Sequence, residues 1–219
     1  MKKHIPNLLT CLNLAIGSVG IYHVLTANGR DAIYFVLVAG AFDFLDGFAA
    51  RMLNVKSELG KQLDSLSDLV SFGLLPAFFM VQWMQSETEW YWIGISIAIF
   101  SALRLAKFNL DETQTDSFIG LPTPANAIML TSLVLVPFQL YGYTLISICV
   151  LSSILLVSPI RLLALKFSSF GWRGNEARWL LIAGILILTG VFGWSSAPMI
   201  IPFYILVSIV AFVGKNKGA

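Results

Sequence analysis

The chain has 219 residues, of which 57% are hydrophobic and only 12% charged, and its formal net charge is +2. A soluble domain carries roughly a quarter charged residues, so this composition leaves too little polar surface to cover a water-soluble globule. The apolar stretches are continuous, as in 90–103 and 145–157, whereas a transmembrane barrel needs alternating apolar and polar positions. The sequence therefore predicts an all-α integral membrane protein.

The hydropathy pattern predicts eight transmembrane spans, each near the roughly 20 residues that a bilayer core requires. In chain order these spans, called span one to span eight, are about 6–27, 31–52, 62–84, 90–109, 121–142, 144–165, 177–194 and 197–214. The connections between them are short. We therefore expect one compact transmembrane domain over residues 1–219, without a soluble domain.

The basic residues predict the orientation of the spans. With eight spans and an inner N-terminus, only Arg30 of the 14 Lys and Arg residues falls on the outer side. Cytoplasmic loops carry such an excess of Lys and Arg. We expect both termini to face the cytoplasm, in the cell (inner) membrane.

Four aspartates lie near the cytoplasmic ends of spans two and three: Asp43, Asp46, Asp64 and Asp68. A carboxylate near the bilayer centre costs roughly 2.5–3.5 kcal/mol on insertion scales, and less toward the interface. Nearby cations such as Arg51 could compensate some of that charge in a buried ion-pair network. A divalent cation is the simpler explanation, and an all-oxygen site suits Mg²⁺ or Mn²⁺.

The spacing of these residues places them on two helical stripes. At about 100° per residue, the stripe on span two covers an arc of roughly 100°. It contains Asp43, Asp46, Gly47 and Ala50, with Arg51 at its edge. A similar stripe on span three contains Gly60, Asp64, Ser67, Asp68 and Ser71. We expect the two stripes to face each other, which brings the carboxylates together.

The whole pattern resembles the signature of the CDP-alcohol phosphotransferase family. From Asp43 to Asp68 it reads Asp-x2-Asp-Gly-x2-Ala-Arg-x8-Gly-x3-Asp-x3-Asp, eight specified positions at fixed spacing. The resemblance implies an enzyme with two divalent cations, Mg²⁺ or Mn²⁺, held by the four aspartates, with Asp68 also the general base. It implies a CDP-lipid site that includes Asp43, Asp46, Gly47, Ala50, Arg51 and Gly60. It also implies a homodimer.

Other segments resemble the phosphatidylserine synthase branch of that family. They are IPNLLT at 5–10 with Asn13, DSLSDLVSFG at 64–73, RLAKFN at 104–109 and FIGLPTP at 118–124. Lys107 departs from the branch, where we expect arginine. The resemblance implies that CDP-diacylglycerol and serine are the substrates and that CMP is released.

Two further sets of residues have more than one interpretation. Asn7, Thr10 and Asn13 form one polar face of span one, which either lines the cytidine pocket or makes hydrogen bonds between helices. Arg104 ends span four on the inner side, where it either binds the carboxylate of serine or anchors the span. Asn109 is predicted to bind the same ligand.

Two alternatives to serine transfer stay open at this stage. The same chemistry with glycerol 3-phosphate or inositol phosphate would require more cations, because a phosphorylated acceptor is a dianion. A divalent-cation or proton-coupled transporter would also carry acids inside the bundle. Such transporters usually show related halves, whereas here the acids cluster in one half. We expect the lipid bilayer, and no nucleic acid, as the chain's surroundings.

Overall fold

The computed structural model describes residues 4–27, 29–55, 57–110, 117–163, 171–172 and 175–216. Nine α-helices run through these ranges: α1 Ile5–Thr26, α2 Ala32–Met52, α3 Glu58–Asp68, α4 Leu75–Met84, α5 Ile95–Leu110, α6 Thr123–Thr131, α7 Gly142–Val157, α8 Glu176–Phe192 and α9 Ala197–Asn216. A π-helical segment, Leu69–Leu74, joins α3 to α4. Turns of 3₁₀-helix lie at Tyr91–Gly94, Ser132–Leu135 and Gly193–Ser196.

Five helical segments are long and apolar enough to cross a membrane. They are Ile5–Thr26, Ala32–Met52, Glu58–Met84, Tyr91–Leu110 and Glu176–Phe212, and two shorter apolar helices cover Thr123–Leu135 and Gly142–Val157. The prediction of a helical membrane protein is therefore confirmed. Six of the basic residues assigned to the inner side lie outside the described residues: Lys2, Lys3, Lys56, Lys166, Arg173 and Lys217.

The last of these segments contains two helices rather than one. The backbone of Gly193 has φ 55°, a left-handed conformation that glycine adopts without strain, and it ends α8. Helix α9 then packs back against α8, and the ring of Phe203 rests directly on Gly184. Helices α8 and α9 thus form a helical hairpin within the residues predicted as spans seven and eight.

Two predicted spans end earlier than expected. Helical structure in the predicted span 121–142 stops at Leu135, and in the predicted span 144–165 it stops at Val157. In each case the next residue is extended, Val136 with ψ 141° and Ser158 with ψ 151°. A proline comes directly after it in the sequence. Because proline crowds the residue before it out of the helical region, both boundaries have a local cause.

The all-α prediction missed a short antiparallel ribbon between α5 and α8. Strand β1, Ser117–Ile119, pairs with strand β2, Arg161–Leu163. Gly120 follows β1 with φ 75°, and its N–H donates to the carbonyl of Ile160 at 2.9 Å. A side chain at this position would collide with the backbone of Leu156, so the close approach requires glycine.

The segment from α3 to α4 lies at the centre of the bundle. Helix α1 packs against α2, α3 and α4, and α5 and α6 contact the π-helical segment from other sides. The largest fully buried side chains here are Phe72, Leu75, Met80, Met84, Ile97 and Leu130. The residues just before the π-helical segment, in α3, thus lie against α1 at the edge of this core.

Candidate metal centre

Three carboxylates converge between α2 and α3. One oxygen each from Asp43, Asp64 and Asp68 lies within 4.8 Å of the others. Asp64 and Asp68 are four residues apart on α3, so they project from the same face of that helix. All three side chains are partly buried. The predicted meeting of acids from spans two and three is therefore present in the structure.

The fourth predicted acid is held by α1. Asp46 is buried and is not one of the three grouped acids; its Oδ2 accepts a hydrogen bond from Thr10 Oγ1 at 2.6 Å. Asn13 Nδ2 donates to Asp68 Oδ1 at 3.5 Å, one turn further along α1. The polar face predicted on span one thus contacts acids of both other helices.

Small residues hold α1 close to α3. The Ser67 hydroxyl donates to the backbone carbonyl of Thr10, and Ser71 donates to that of Asn13, each at 3.0 Å. Gly17 touches Ser71 so closely that a methyl group there would overlap its hydroxyl. The expectation that the whole stripe on span three faces span two is therefore wrong. Its serines face α1, because small polar side chains allow close approach and bond the neighbouring backbone.

Gly60 lies at the start of the same interface. A Cβ on Gly60 would lie 2.9 Å from Ser57 Oγ and 3.2 Å from Asn7 Oδ1. Ser57 is the N-cap of α3, and its hydroxyl accepts a hydrogen bond from the Gly60 N–H at 2.9 Å. A side chain at position 60 would therefore crowd the cap hydroxyl and the amide of Asn7.

No basic side chain in the described ranges forms an ion pair with any of the four acids. A hydrogen-bonded contact joins His23 Nε2 to Asp31 Oδ2 at 3.3 Å, at the opposite end of α2 from these acids. Carboxylates crowded this closely repel one another and destabilise the fold unless a cation lies between them. This finding disfavours the alternative of a buried ion-pair network. The grouped oxygens instead fit a divalent cation of the Mg²⁺ or Mn²⁺ type.

Arg104 of α5 is buried near this centre. Its guanidinium lies within electrostatic range of the Asp68 carboxylate, although the two groups do not form an ion pair. The group lies 5.9 Å from the ring centroid of Phe108, and its Nε has no hydrogen-bond partner. A cavity of about 250 Å³ adjoins it, lined also by Lys107 and by Ser158 after α7. Arg104 therefore has unused hydrogen-bonding capacity beside a cavity.

Asn109 has a different environment. Its amide donates to Ser65 Oγ at 2.8 Å, and its backbone carbonyl accepts from Lys61 Nζ at 3.0 Å. Both contacts tie the end of α5 to α3. The residue predicted to bind serine together with Arg104 is thus engaged within the protein.

The remaining predicted residues lie along the C-terminal turns of α2. Gly47 faces the guanidinium of Arg51, whose Nη1 lies 3.8 Å from the position of a Cβ on that glycine. Ala50 is half-buried and Arg51 is exposed. Apart from that guanidinium, no side chain among the described residues lies within 4 Å of a Cβ at Gly47, so the helix surface is open there.

Sequence reasoning gave no role to three polar residues near the centre. Ser101 on α5 and both Thr123 and Asn126 on α6 are fully buried, and their side chains have no hydrogen-bond partner among the described residues. Thr123 belongs to the FIGLPTP segment that carried the subfamily resemblance. The available signal was an Asn within the apolar run 121–135, since polar residues inside a membrane span often have a function.

Membrane-spanning helices and an all-oxygen cluster of acids, of the kind that holds divalent cations, define the class as an integral membrane protein with an acidic site. The chain belongs to the CDP-alcohol phosphatidyltransferase family, whose sequence profile matches residues 3–165.

Similar proteins include three that carry the name CDP-diacylglycerol–serine O-phosphatidyltransferase. The one from Helicobacter pylori is 30% identical over 98% of this chain and 96% of its own length. The one from Bacillus subtilis is 37% identical over 56% of this chain and 70% of its own length. The one from Methanocaldococcus jannaschii is 35% identical over 72% of each chain.

Proposed function

We propose that this protein transfers the phosphatidyl group of CDP-diacylglycerol to the hydroxyl of L-serine and releases CMP. The observation that carries the proposal is the convergence of Asp43, Asp64 and Asp68 within a complete family signature. Relatives that align over nearly the whole chain bear the name of this activity. Membership of a transferase family also disfavours the transporter alternative.

Asp43, Asp46, Asp64 and Asp68 are proposed to hold two divalent cations, Mg²⁺ or Mn²⁺. The grouping of three of these acids and the unbalanced negative charge support this assignment. Bound there, the cations would neutralise the pyrophosphate and stabilise the entering and leaving oxygens. Thr10 would orient Asp46 through the hydrogen bond already described, which fixes the carboxylate on its α1 side.

Asp68 is proposed as the general base. Its carboxylate would take the proton from the serine hydroxyl while the serine oxygen forms its bond to phosphorus and the bond to CMP breaks. The Asn13 amide would hold the Asp68 carboxylate in position. The grouped potential ligands in the described part of the chain are all aspartates, without His or Cys. We therefore propose direct displacement without a covalent enzyme intermediate.

The CDP-lipid is proposed to bind along the open side of α1 and α2. This site would comprise Asn7, Thr10, Asn13, Asp43, Asp46, Gly47, Ala50, Arg51 and Gly60. The exposed guanidinium of Arg51 could contact phosphate, and the absence of side chains at Gly47 and Gly60 gives a ligand close access to the backbone. Thr10 and Asn13 already use hydrogen bonds on the acids, so their contribution would be to position those acids.

Arg104 and Asn109 are proposed to bind serine. The buried guanidinium beside a cavity would pair with the serine carboxylate. Asn109 would first have to release Ser65, so its part in this site is the weaker one. A phosphorylated acceptor would call for further buried cations.

The protein is proposed to be a single domain over residues 1–219 in the inner membrane, with its site facing the cytoplasm and both termini inside. Counting the α8–α9 hairpin as two spans and adding the two shorter apolar helices gives eight crossings. The placement of 13 of the 14 basic residues on one side supports this orientation. A homodimer is proposed from the family resemblance.

The proposed function can be tested with purified protein in detergent. CDP-diacylglycerol and Mn²⁺ or Mg²⁺ would be offered with serine, glycerol 3-phosphate or inositol phosphate separately, and CMP and lipid products measured. We expect metal-dependent CMP release and phosphatidylserine with serine alone. Transfer to glycerol 3-phosphate instead would refute the acceptor, and metal-independent transfer would refute the site. Asp31→Asn should leave this activity unchanged, because Asp31 contacts His23 at the opposite end of α2 from the signature acids.

A further inference from the structure

Six buried side-chain atoms in the described residues have no hydrogen-bond partner. They are Asn13 Oδ1, Ser101 Oγ, Arg104 Nε, Thr123 Oγ1, and Asn126 Oδ1 and Nδ2. Burying a polar group without a partner destabilises a protein, and most natural structures avoid it. Here all six atoms come from α1, α5 and α6. All three helices contact the π-helical segment, and such concentration around one segment indicates a ligand site rather than scattered packing defects.

Helix α6 lies where it can serve the metal centre. It packs against α2, α5 and the π-helical segment. Helix α2 carries Asp43 and α5 carries Arg104. The π-helical segment begins directly after Asp68. Thr123 and Asn126 are three residues apart in the first turns of α6, so they lie on one face, and both are fully buried. The helix thus brings two unpartnered polar side chains to the elements that surround the acids.

We propose that Thr123 and Asn126 bind the amino-acid part of the acceptor and determine its selection. This inference rests on the proposed function and deepens it. Neither residue belongs to the acid signature from Asp43 to Asp68 or to the predicted serine site.

The chemistry of the unpartnered atoms matches a zwitterion. Arg104 Nε and Asn126 Nδ2 can only donate, as a carboxylate requires. Asn126 Oδ1 can only accept, as an ammonium group requires, and the Thr123 hydroxyl can do either. Serine carries its ammonium group and its carboxylate on the same carbon atom. A phosphorylated alcohol presents a dianion without an ammonium group, and the unused acceptor of Asn126 would be left without a partner.

Two near-isosteric substitutions test this assignment in the full-length enzyme. Thr123→Val and Asn126→Leu remove the polar atoms and keep most of the volume. Each should raise the KM for serine at least about tenfold, because a hydrogen bond to a charged group is lost. The KM for CDP-diacylglycerol should change less than about twofold. The melting temperature should stay the same or rise, because a buried unpartnered group is gone.

Thr131 supplies the matched control. It is also a buried threonine on α6, but its hydroxyl donates to the carbonyl of Ala127 at 2.7 Å within its own helix. Thr131→Val should leave the KM for serine unchanged. An unchanged serine KM in both Thr123→Val and Asn126→Leu would overturn the proposal. Equal weakening toward both substrates would also overturn it, since that result assigns the residues to general packing.

Asn126→Asp provides a second readout if Asn126→Leu does not fold. This variant keeps an acceptor for ammonium but repels a carboxylate, so it should shift the preference from serine toward ethanolamine by at least about tenfold. An unchanged ratio of the two acceptors would contradict the proposal. Failure of the proposed function is separable, because it would appear as wild-type enzyme that does not transfer to serine at all.

Discussion

The central segment Glu58–Met84 and the C-terminal segment Glu176–Phe212 are both apolar, yet their surroundings are opposite. In their most apolar windows, 56% of the central residues but only 11% of the C-terminal residues are buried inside the protein. The central segment carries Asp64 and Asp68, whereas the hairpin lies beyond the family match, which ends at residue 165.

Hydrophobicity alone therefore does not locate the interior of a membrane protein. Lipid is as apolar as leucine, so large apolar side chains such as Leu186 and Val210 can remain exposed on the hairpin. The interior is marked instead by small and polar residues, which here include Gly17, Ser67 and Ser71 at one interface. Substitutions in the centre should therefore affect activity or packing, while equivalent changes in the hairpin should be tolerated.

The largest effect is expected from loss of an acid at the centre. Asp64→Asn should reduce turnover by at least about 10³-fold, because several kcal/mol of transition-state stabilisation depends on the cations. In metal-free buffer the same variant should melt at a higher temperature than the wild type, since one of three crowded negative charges is removed. Turnover and thermal unfolding measured with and without EDTA check both effects. Full turnover of the wild-type enzyme in EDTA would contradict the metal requirement.

A smaller loss is expected when the base alone is removed. Asp68→Asn, measured at saturating metal, should lower kcat by about 10²–10⁴-fold while the KM for CDP-diacylglycerol changes little. Asn13→Ala should show a weaker version of the same pattern, because Asn13 only positions the carboxylate. If Asp68→Asn weakened CDP-lipid binding as much as turnover, Asp68 would be a metal ligand only.

Arg104 should affect one substrate selectively. Arg104→Ala should raise the KM for serine by roughly 10- to 100-fold, because a charge-assisted contact contributes about 1.5–3 kcal/mol. Arg104→Lys keeps the charge but loses the planar fork, so it should have an intermediate effect. Initial rates with each substrate varied in turn measure both constants. A change confined to the CDP-lipid constant would place Arg104 on the pyrophosphate.

The smallest effects are expected at two glycines, one in the centre of the bundle and one in the hairpin. Gly17→Ala should destabilise the protein by about 1–3 kcal/mol, because its methyl group overlaps Ser71 where α1 packs on the π-helical segment. Gly190→Ala on α8 meets nothing within 4 Å and should be neutral or stabilising by up to about 1 kcal/mol. Thermal unfolding in detergent measures the pair. Equal responses would remove the proposed distinction between the centre and the hairpin.

The sequence predicted the acids and their helices well because helical period and charge burial are local properties. Asp64 and Asp68 share a face by spacing alone, and a buried carboxylate needs a partner wherever it lies. The partners across helices were less predictable. Ser67 and Ser71 could face α1 or α2, and only the packing of three helices decides between them.

Helix ends and the ribbon show a second limit. Hydropathy continues past Leu135 and Val157 although Pro137 and Pro159 stop the helices, so an apolar run overstated both spans. The pairing of β1 with β2 joins residues more than 40 positions apart, and no short pattern specifies it. A single amide in an apolar run, such as Asn126, points to a function without specifying it, and only its lack of hydrogen-bond partners in the fold does so.

The most direct test of the account is an anomalous diffraction measurement on crystals grown with Mn²⁺ and CDP-diacylglycerol. We predict two manganese peaks among Asp43, Asp46, Asp64 and Asp68, and their loss in Asp64→Asn but not in the control Asp31→Asn. Manganese bound elsewhere, with the acids lacking a metal in crystals of active enzyme, would contradict the central claim.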